Sequence, residues 1–112
     1  MRKCERNIIN AIIEGKPYFD QNNAVSILPG KSGDTYRIRL FDNLIATGRV
    51  GEMPEKFCFC GWNTKTTRSR LRALGCDLYR ESKGVYSVSG KKVDFYRPFT
   101  CKGNPCKDME IR

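Results

Sequence analysis

The chain has 112 residues, which is enough for one domain with a two-layer core and too few for two independent domains. Hydrophobic residues make up 39% and charged residues 29%, a composition that excludes a disordered polyelectrolyte and indicates a globular protein. The formal net charge is +9, from 21 Lys and Arg against 12 Asp and Glu. This excess favours negatively charged partners, such as phosphate backbones or acidic protein surfaces.

No apolar stretch approaches the roughly 20 residues that cross a bilayer. The N-terminus, Met-Arg-Lys-Cys-Glu-Arg, has neither the apolar region nor the small-residue cleavage site of a secretory signal. We therefore expect a cytosolic protein that does not enter a membrane.

The first predicted element is a helix over residues 4–14, where isoleucines recur at helical spacing. Gly15 and Pro17 come directly after it and predict the end of the helix. The isoleucine face is expected to pack on a sheet. A short apolar stretch, 24–28, precedes Pro29-Gly30 and is predicted to be an edge strand.

A strand is predicted over 35–41 because apolar and basic residues alternate there. Tyr36, Ile38 and Leu40 share one face, and Arg37 and Arg39 share the other, which we expect to be open to solvent or to a ligand. Asp42-Asn43 tolerate positive φ, so they predict a hairpin turn that returns through 44–50.

Residues 56–62 are predicted to form a central strand because both of its faces are apolar. Phe57 and Phe59 point one way, and Cys58, Cys60 and Trp62 point the other. A second helix is expected to begin at Asn63 or Thr64 as N-cap and to end at Gly75.

Ser89-Gly90-Lys91 predicts a second hairpin, joining Val85–Val88 to residues 92–96. The tail, 97–112, contains two prolines and two cysteines and is predicted to be an irregular strap over the sheet. The sequence therefore predicts a single α+β domain over 1–112, in which a mainly antiparallel sheet is packed by an N-terminal helix and a second, short basic helix.

The residue inventory excludes the common catalytic sites. The chain has no histidine, which removes the Ser-His and Cys-His nucleophile arrangements. It also has no glycine-rich phosphate loop of either common type. We expect a protein that is not an enzyme, with no catalytic residues, no cofactor and no assigned metal ligand.

The six cysteines leave two readings open. Cys58, Cys60, Cys101 and Cys106 could supply four thiolates to a tetrahedral Zn²⁺, with Gly103 and Pro105 in the turn between the last two. Against zinc, Cys-x-Cys is not the usual ligand spacing, and free cysteine is commonly a small buried hydrophobe. A zinc-stapled structural module and a protein with reduced thiols both remain.

The second predicted helix carries the strongest functional signal. Thr67, Leu71 and Leu74 share one side of a helical wheel, while Lys65, Arg68, Ser69 and Arg72 share the opposite side. These cations, with Arg70 between the two sides, are predicted phosphate contacts, and Arg37 and Arg39 are auxiliary ones. The alternative is an ordinary solvated face, because Lys and Arg are good helix formers.

Trp62 lies just before this helix and has two interpretations. It alternates with the strand cysteines, which favours a place in the core. In the second interpretation it stacks on an unpaired base and belongs to the nucleic-acid site, where such a contact contributes about 1 to 3 kcal/mol.

Two segments, Leu40-Phe41-Asp42-Asn43-Leu44-Ile45-Ala46 and Cys60-Gly61-Trp62-Asn63-Thr64-Lys65-Thr66-Thr67-Arg68-Ser69-Arg70-Leu71, resemble the signature stretches of a group of small bacteriophage proteins without an assigned activity. That group has His-Gly-Asn-x-Ile-Ala followed by Gly-Trp-x-Thr-x-Thr-Thr-x-x-Arg-Leu-Asn. This chain departs from it at Phe41-Asp42 and at Arg72. The resemblance implies a phage origin and a place in the host cytoplasm, and it implies no activity.

The expected function is therefore non-catalytic binding of nucleic acid or a nucleoprotein complex during infection. The rival is a phage protein of host takeover or anti-defence, which would inhibit a host protein such as a nuclease, a CRISPR complex or RNA polymerase. DNA and RNA are not distinguished by these patterns, nor is an oligomeric state indicated.

Overall fold

The computed structural model describes all 112 residues and contains two helices and two antiparallel sheets, which confirms the predicted α+β class. The helices are α1 (Lys3–Glu14) and α2 (Lys65–Ala73). The strands are β1 (Tyr18–Phe19), β2 (Asn23–Leu28), β3 (Thr35–Leu40), β4 (Asn43–Arg49), β5 (Lys56–Phe57), β6 (Leu78–Ser82), β7 (Val85–Val88), β8 (Lys91–Lys92) and β9 (Phe99–Thr100). The large sheet has the order β1-β2-β3-β4-β5-β9, and the small sheet has the order β6-β7-β8.

Helix α1 follows the sequence prediction closely. Its buried apolar residues, Ile8, Ala11 and Ile12, recur at the spacing of one helical face, and α1 contacts β1 and β2. The helix ends where Gly15 takes φ 72° and donates its amide to the carbonyl of Ala11 at 2.8 Å. Only glycine adopts this left-handed conformation without strain, so the sequence fixes the helix end.

Strand β3 has the predicted alternation, since Tyr36, Ile38 and Leu40 are all buried. The stretch 24–28 lies in β2, but the prediction that it forms an edge is wrong because β1 pairs outside it. The turn after β3 is also displaced by one residue. Phe41 and Asp42 have the positive φ values, 51° and 65°, and Asn43 already belongs to β4.

The predicted central strand 56–62 is correct in position and wrong in length. β5 lies between β4 and β9, but it contains only Lys56–Phe57. The chain then turns, because Cys60 and Gly61 take φ values of 54° and 79°. Phe59 remains fully buried, with its ring centroid 4.9 Å from that of Phe95.

The hairpin of the small sheet is confirmed, with Ser89 and Gly90 at φ 51° and 82°, although β8 has only two residues, Lys91–Lys92. Strand β6 was not predicted. Its sequence, Leu-Tyr-Arg-Glu-Ser, shows no alternation of apolar and polar residues, and Leu78 is its only buried residue. It is specified by pairing with β7 rather than by its own pattern.

The tail is only partly the irregular strap that the sequence predicts. Phe99–Thr100 form β9 and pair with β5 at the edge of the large sheet. Cys106 then donates its amide to the carbonyl of Pro98 at 3.1 Å. Beyond it, the last residues lie against the solvent side of the large sheet, where Glu110 binds Arg37 of β3.

Candidate nucleic-acid interface

Helix α2 is fixed at both ends by local chemistry. The Thr64 hydroxyl accepts the amide of Thr67 at 3.1 Å, which confirms Thr64 as the N-cap. Leu74 is the C-cap, and Gly75 follows at φ 89°. Thr67, Leu71 and Leu74 are buried, as the helical wheel predicts. The opposite side of the helix therefore faces outward.

Two of the predicted phosphate contacts are exposed on that side. Lys65 and Arg72, one at the start and one near the end of α2, line a groove of about 450 Å³ between α2 and the start of α1. Arg2 of the neighbouring segment lines the same groove, as does Glu5, whose carboxylate is paired with Arg70. This cationic groove gathers positive charge from two separate parts of the chain, which raises the local concentration of anions.

Arg68 is half-buried and held in place. Its guanidinium donates to the backbone carbonyl of Asn63 at 3.1 Å and to the side-chain oxygen of Asn63 at 2.8 Å. The same guanidinium lies 5.4 Å from the centre of the Tyr86 ring. Its position is therefore fixed by local contacts on the protein.

Arg70 must be removed from the predicted contacts. Its side chain is 5% exposed and binds Glu5 of α1 through Nη1 and Oε2 at 2.8 Å. Its Nε donates to Asn23 at 2.8 Å. A guanidinium surrounded in this way joins α1, β2 and α2 inside the protein and cannot reach a ligand. The sequence had placed it between the two faces of α2, and packing assigns it to the inner one.

Trp62 is 59% exposed, so the interpretation that placed it in the core is wrong. The positive φ values of Cys60 and Gly61 end the strand alternation on which that interpretation depended. Together with Phe41, which is 57% exposed, Trp62 borders an aromatic cleft of about 250 Å³. The cleft is lined by Leu40, Phe41, Asn43, Ile45, Phe59, Trp62, Thr64 and Thr67.

Phe41 is a site residue that the sequence reasoning missed. A large aromatic residue at positive φ is strained, and such positions are usually taken by Gly, Asn or Asp. The signal that could have identified it was an apolar aromatic residue inside a predicted hairpin turn. Phe41 also borders a second recess with Phe19, which is 67% exposed.

Four exposed aromatic side chains neighbour one another in turn, and we name them the aromatic row: Phe19, Phe41, Trp62 and Tyr96. Phe19 and Phe41 share one recess, and Phe41 and Trp62 share the cleft. The Tyr96 ring covers Gly61, the residue before Trp62, and is 80% exposed. This aromatic row reaches the first turn of α2, where Thr64 and Thr67 line the cleft.

The two auxiliary arginines of β3 do not share one open face. Arg37 binds the Glu110 carboxylate of the tail at 3.1 Å, so the expectation of an open arginine face is wrong at this position. Arg39 is half-buried and lines the recess between Phe19 and Phe41. The structure therefore associates Arg39 with the aromatic row and Arg37 with the tail.

The four cysteines considered for zinc are not gathered into a metal site. No group of three or more His, Cys, Asp or Glu side chains is placed to hold a metal ion. The Cys60 thiol donates to the carbonyl of Leu44 at 3.1 Å, and Cys101 is exposed. The Cys60 amide donates to the Cys58 sulfur at 3.3 Å, and hydrogen bonding with Cys60 lowers the pKa of the Cys58 thiol to about 7.

A family model described as Kyanoviridae Gp96 protein matches residues 1–102. The chain belongs to this bacteriophage protein family. No curated protein and no solved structure matches it. The Gp96 match includes α1, the aromatic row, all of α2 and the small sheet, and it ends before the last ten residues. The phage origin implied by the sequence resemblance is thereby confirmed, while the two signature motifs themselves stay a prediction.

Neither helix has the length and apolar character needed to span a bilayer.

Proposed function

We propose that this Gp96 family member binds nucleic acid without catalysis in the host cytoplasm, and that it prefers strands with unpaired bases. The observation that carries this proposal is the aromatic row. Every base has a flat face that stacks on an aromatic ring, and each such contact contributes about 1 to 3 kcal/mol. Exposed Phe41 and Trp62 border a cleft with an apolar floor, where a base would leave water.

The arrangement of charge supports the same proposal. Thr64 and Thr67 of α2 line the aromatic cleft, and Lys65, Ser69 and Arg72 of the same helix line the cationic groove. The cleft and the groove lie on different sides of α2, and they come together at its start, where Thr64 of the cleft precedes Lys65 of the groove. A strand whose base enters the cleft would reach the cations by passing over this first turn. Base stacking and phosphate contacts are the two terms that single-strand binding proteins combine.

The test is titration of a fluorescein-labelled oligodeoxythymidine strand of about 20 nucleotides, followed by anisotropy at several salt concentrations. We expect Trp62→Ala to weaken binding by about 1 to 3 kcal/mol. Tyr79→Ala is the matched control, because Tyr79 is 63% exposed and lies in β6, outside the aromatic row. Equal affinities of the two variants would remove base stacking from the proposal.

The charge on α2 is tested by the salt dependence. Each single-strand phosphate contact contributes about 0.7 to the slope of log K against log salt concentration. Lys65→Gln with Arg72→Gln should flatten the slope by about 1.4. Lys31→Gln with Lys83→Gln removes the same charge from exposed positions elsewhere and should leave the slope nearly unchanged. A slope shared by both double variants would refute the phosphate contacts.

Inhibition of a host protein is the second candidate, because exposed aromatic residues and arginines are also enriched at the energetic centres of protein interfaces. Affinity capture from infected cells separates the two functions. A partner that stays bound after nuclease treatment and is lost in Trp62→Ala favours a host protein, such as a nuclease, a CRISPR complex or RNA polymerase. A partner lost with nuclease favours nucleic acid.

A further inference from the structure

A polar row crosses the solvent side of the large sheet. Arg37 of β3 pairs with Thr47 of β4, and Thr47 pairs with Lys56 of β5. Paired residues of antiparallel strands point to the same side, and Arg37 alternates with buried Ile38. The three side chains therefore lie next to one another on the side away from the core. We name Arg37, Thr47 and Lys56 the outer polar row.

The tail lies across this row and binds both of its cations. The Glu110 carboxylate accepts from Arg37 at 3.1 Å, and the Glu110 backbone carbonyl accepts from Lys56 at 2.5 Å. Asp108 places a carboxylate oxygen 3.7 Å from the Lys56 ammonium. Because Glu110 reaches β3 and β5 at once, it passes over β4 between them, where Thr47 lies.

The tail satisfies this row incompletely. Thr47 is 1% exposed, and its hydroxyl is buried without a hydrogen-bond partner. Buried polar groups in native proteins are nearly always bonded, so an unbonded hydroxyl between two cations requires a reason. A phosphate carries several acceptor oxygens and can receive hydrogen bonds from a guanidinium, an ammonium and a hydroxyl together. The carboxylate of Glu110 accepts from the Arg37 guanidinium but not from the Lys56 ammonium or the Thr47 hydroxyl.

The family match separates the row from the tail. Arg37, Thr47 and Lys56 all lie within the matched residues 1–102, and the tail residues that bind them lie beyond that range. The tail brings the carboxylates of Asp108 and Glu110 to this surface, and Lys107 and Arg112 balance their charge within the same segment.

We propose that the outer polar row is a phosphate-binding site, and that Asp108 and Glu110 of the tail occupy it as built-in competitors. The proposal rests on the proposed function for its main phosphate source, the nucleic-acid backbone. Free polyphosphate is the second source. The carboxylate of Glu110 then stands where a phosphate oxygen would bind, and ligand and tail exclude each other.

The experiment releases the tail without removing residues that the fold needs. Asp108→Asn with Glu110→Gln keeps the side-chain shapes and weakens the two charged contacts. Glu14→Gln with Asp77→Asn is the matched control, because it raises the net charge equally at exposed positions outside the row. A truncation after Cys106 is the second tail-open variant, since it keeps the hydrogen bond from the Cys106 amide to Pro98.

Each variant is titrated with the labelled oligodeoxythymidine and, separately, with sodium tripolyphosphate. We expect the tail-open variants to bind several-fold more tightly than the charge control, with a salt slope for the oligonucleotide steeper by about 0.7 for one added phosphate contact. Arg37→Gln with Lys56→Gln in the tail-open protein should abolish this gain. In the tail-open protein, Thr47→Val should reduce the gain in affinity because it removes the hydroxyl, whereas Thr47→Ser keeps the hydroxyl and should retain the gain.

The outcomes distinguish this proposal from the proposed function. If the tail-open variants bind the oligonucleotide more tightly, and Arg37→Gln with Lys56→Gln abolishes that gain, the result supports both the nucleic-acid function and the phosphate site. If no variant binds the oligonucleotide but the tail-open forms gain affinity for tripolyphosphate, the nucleic-acid function fails and the row remains a phosphate site. If the tail-open variants match the charge control with both probes, the row is not a phosphate site, whatever the rest of the molecule binds.

Discussion

Breaking the buried ion pair between Arg70 and Glu5 should destabilise this protein more than most single substitutions. The two side chains are 5% and 4% exposed and meet at 2.8 Å. Ser69 also donates to the Glu5 carboxylate at 2.8 Å, and Arg70 donates to Asn23. Arg70→Met removes one charge and leaves the other in a site that water does not reach.

The magnitude follows from that burial. Removal of one partner from a buried pair typically costs about 3 to 5 kcal/mol, because the remaining charge is uncompensated. For a chain of 112 residues, an entropy of unfolding of about 2.1 cal/mol/K per residue converts that loss to a fall in Tm of about 13 to 21 °C. Glu5→Leu with Arg70→Met removes both charges, and it should recover most of the loss.

The measurement is urea unfolding followed by far-ultraviolet circular dichroism, since exposed Trp62 is a poor reporter of core packing. Wild type, both single variants and the double variant form a cycle that isolates the coupling between the two side chains. The reasoning is refuted if Arg70→Met costs less than about 1 kcal/mol, or if the double variant loses the sum of the two single losses.

Thr47→Val should raise the free energy of unfolding by about 1 kcal/mol, because it replaces a buried unbonded hydroxyl with a methyl group of similar size; a loss of stability in the same urea experiment would contradict this. Gly103→Ala should lower the free energy of unfolding by about 1 to 3 kcal/mol, because Gly103 has φ 84° and an added Cβ would clash with the carbonyl oxygen of Val88. An unchanged Tm would contradict the position of the tail beside Val88. Burial alone would raise the pKa of Glu5, but hydrogen bonds from Ser69, the Arg2 amide and Arg70 hold it below its usual 4.5. The stability from Glu5 is therefore complete above pH 4.5 and lost as pH falls through the lower folded pKa, so Glu5→Gln should flatten that part of the acid unfolding curve.

The elements that the sequence predicted well are those whose signal is local. The isoleucine spacing and Gly15 define α1, the alternation from Tyr36 to Leu40 defines β3, and Thr64 caps α2. In each case the residues that form the element also supply its hydrogen bonds or its buried face. Such elements are specified before any distant part of the chain is considered.

The candidate site was predicted only in part, because a helical wheel does not say what packs on each side. Lys65 and Arg72 are exposed as expected, whereas Arg70 is buried by Glu5 from a segment 65 residues away. For Trp62, strand alternation favoured the core over the nucleic-acid site, but the turn at Cys60 ends that alternation. Phe41 was not identified, since its role depends on a neighbour from another loop.

The sequence by itself determined the α+β class, the positive charge, the absence of a histidine-based site and the outward cations of α2. Tertiary structure alone decided which cations stay free. Glu5 pairs with Arg70 and Glu110 pairs with Arg37, whereas Arg72 forms no ion pair and donates only from its Nε to the Leu78 carbonyl at 3.3 Å. A charge is available to a ligand only where no other part of the folded chain has already paired it, and that depends on contacts between residues far apart in sequence.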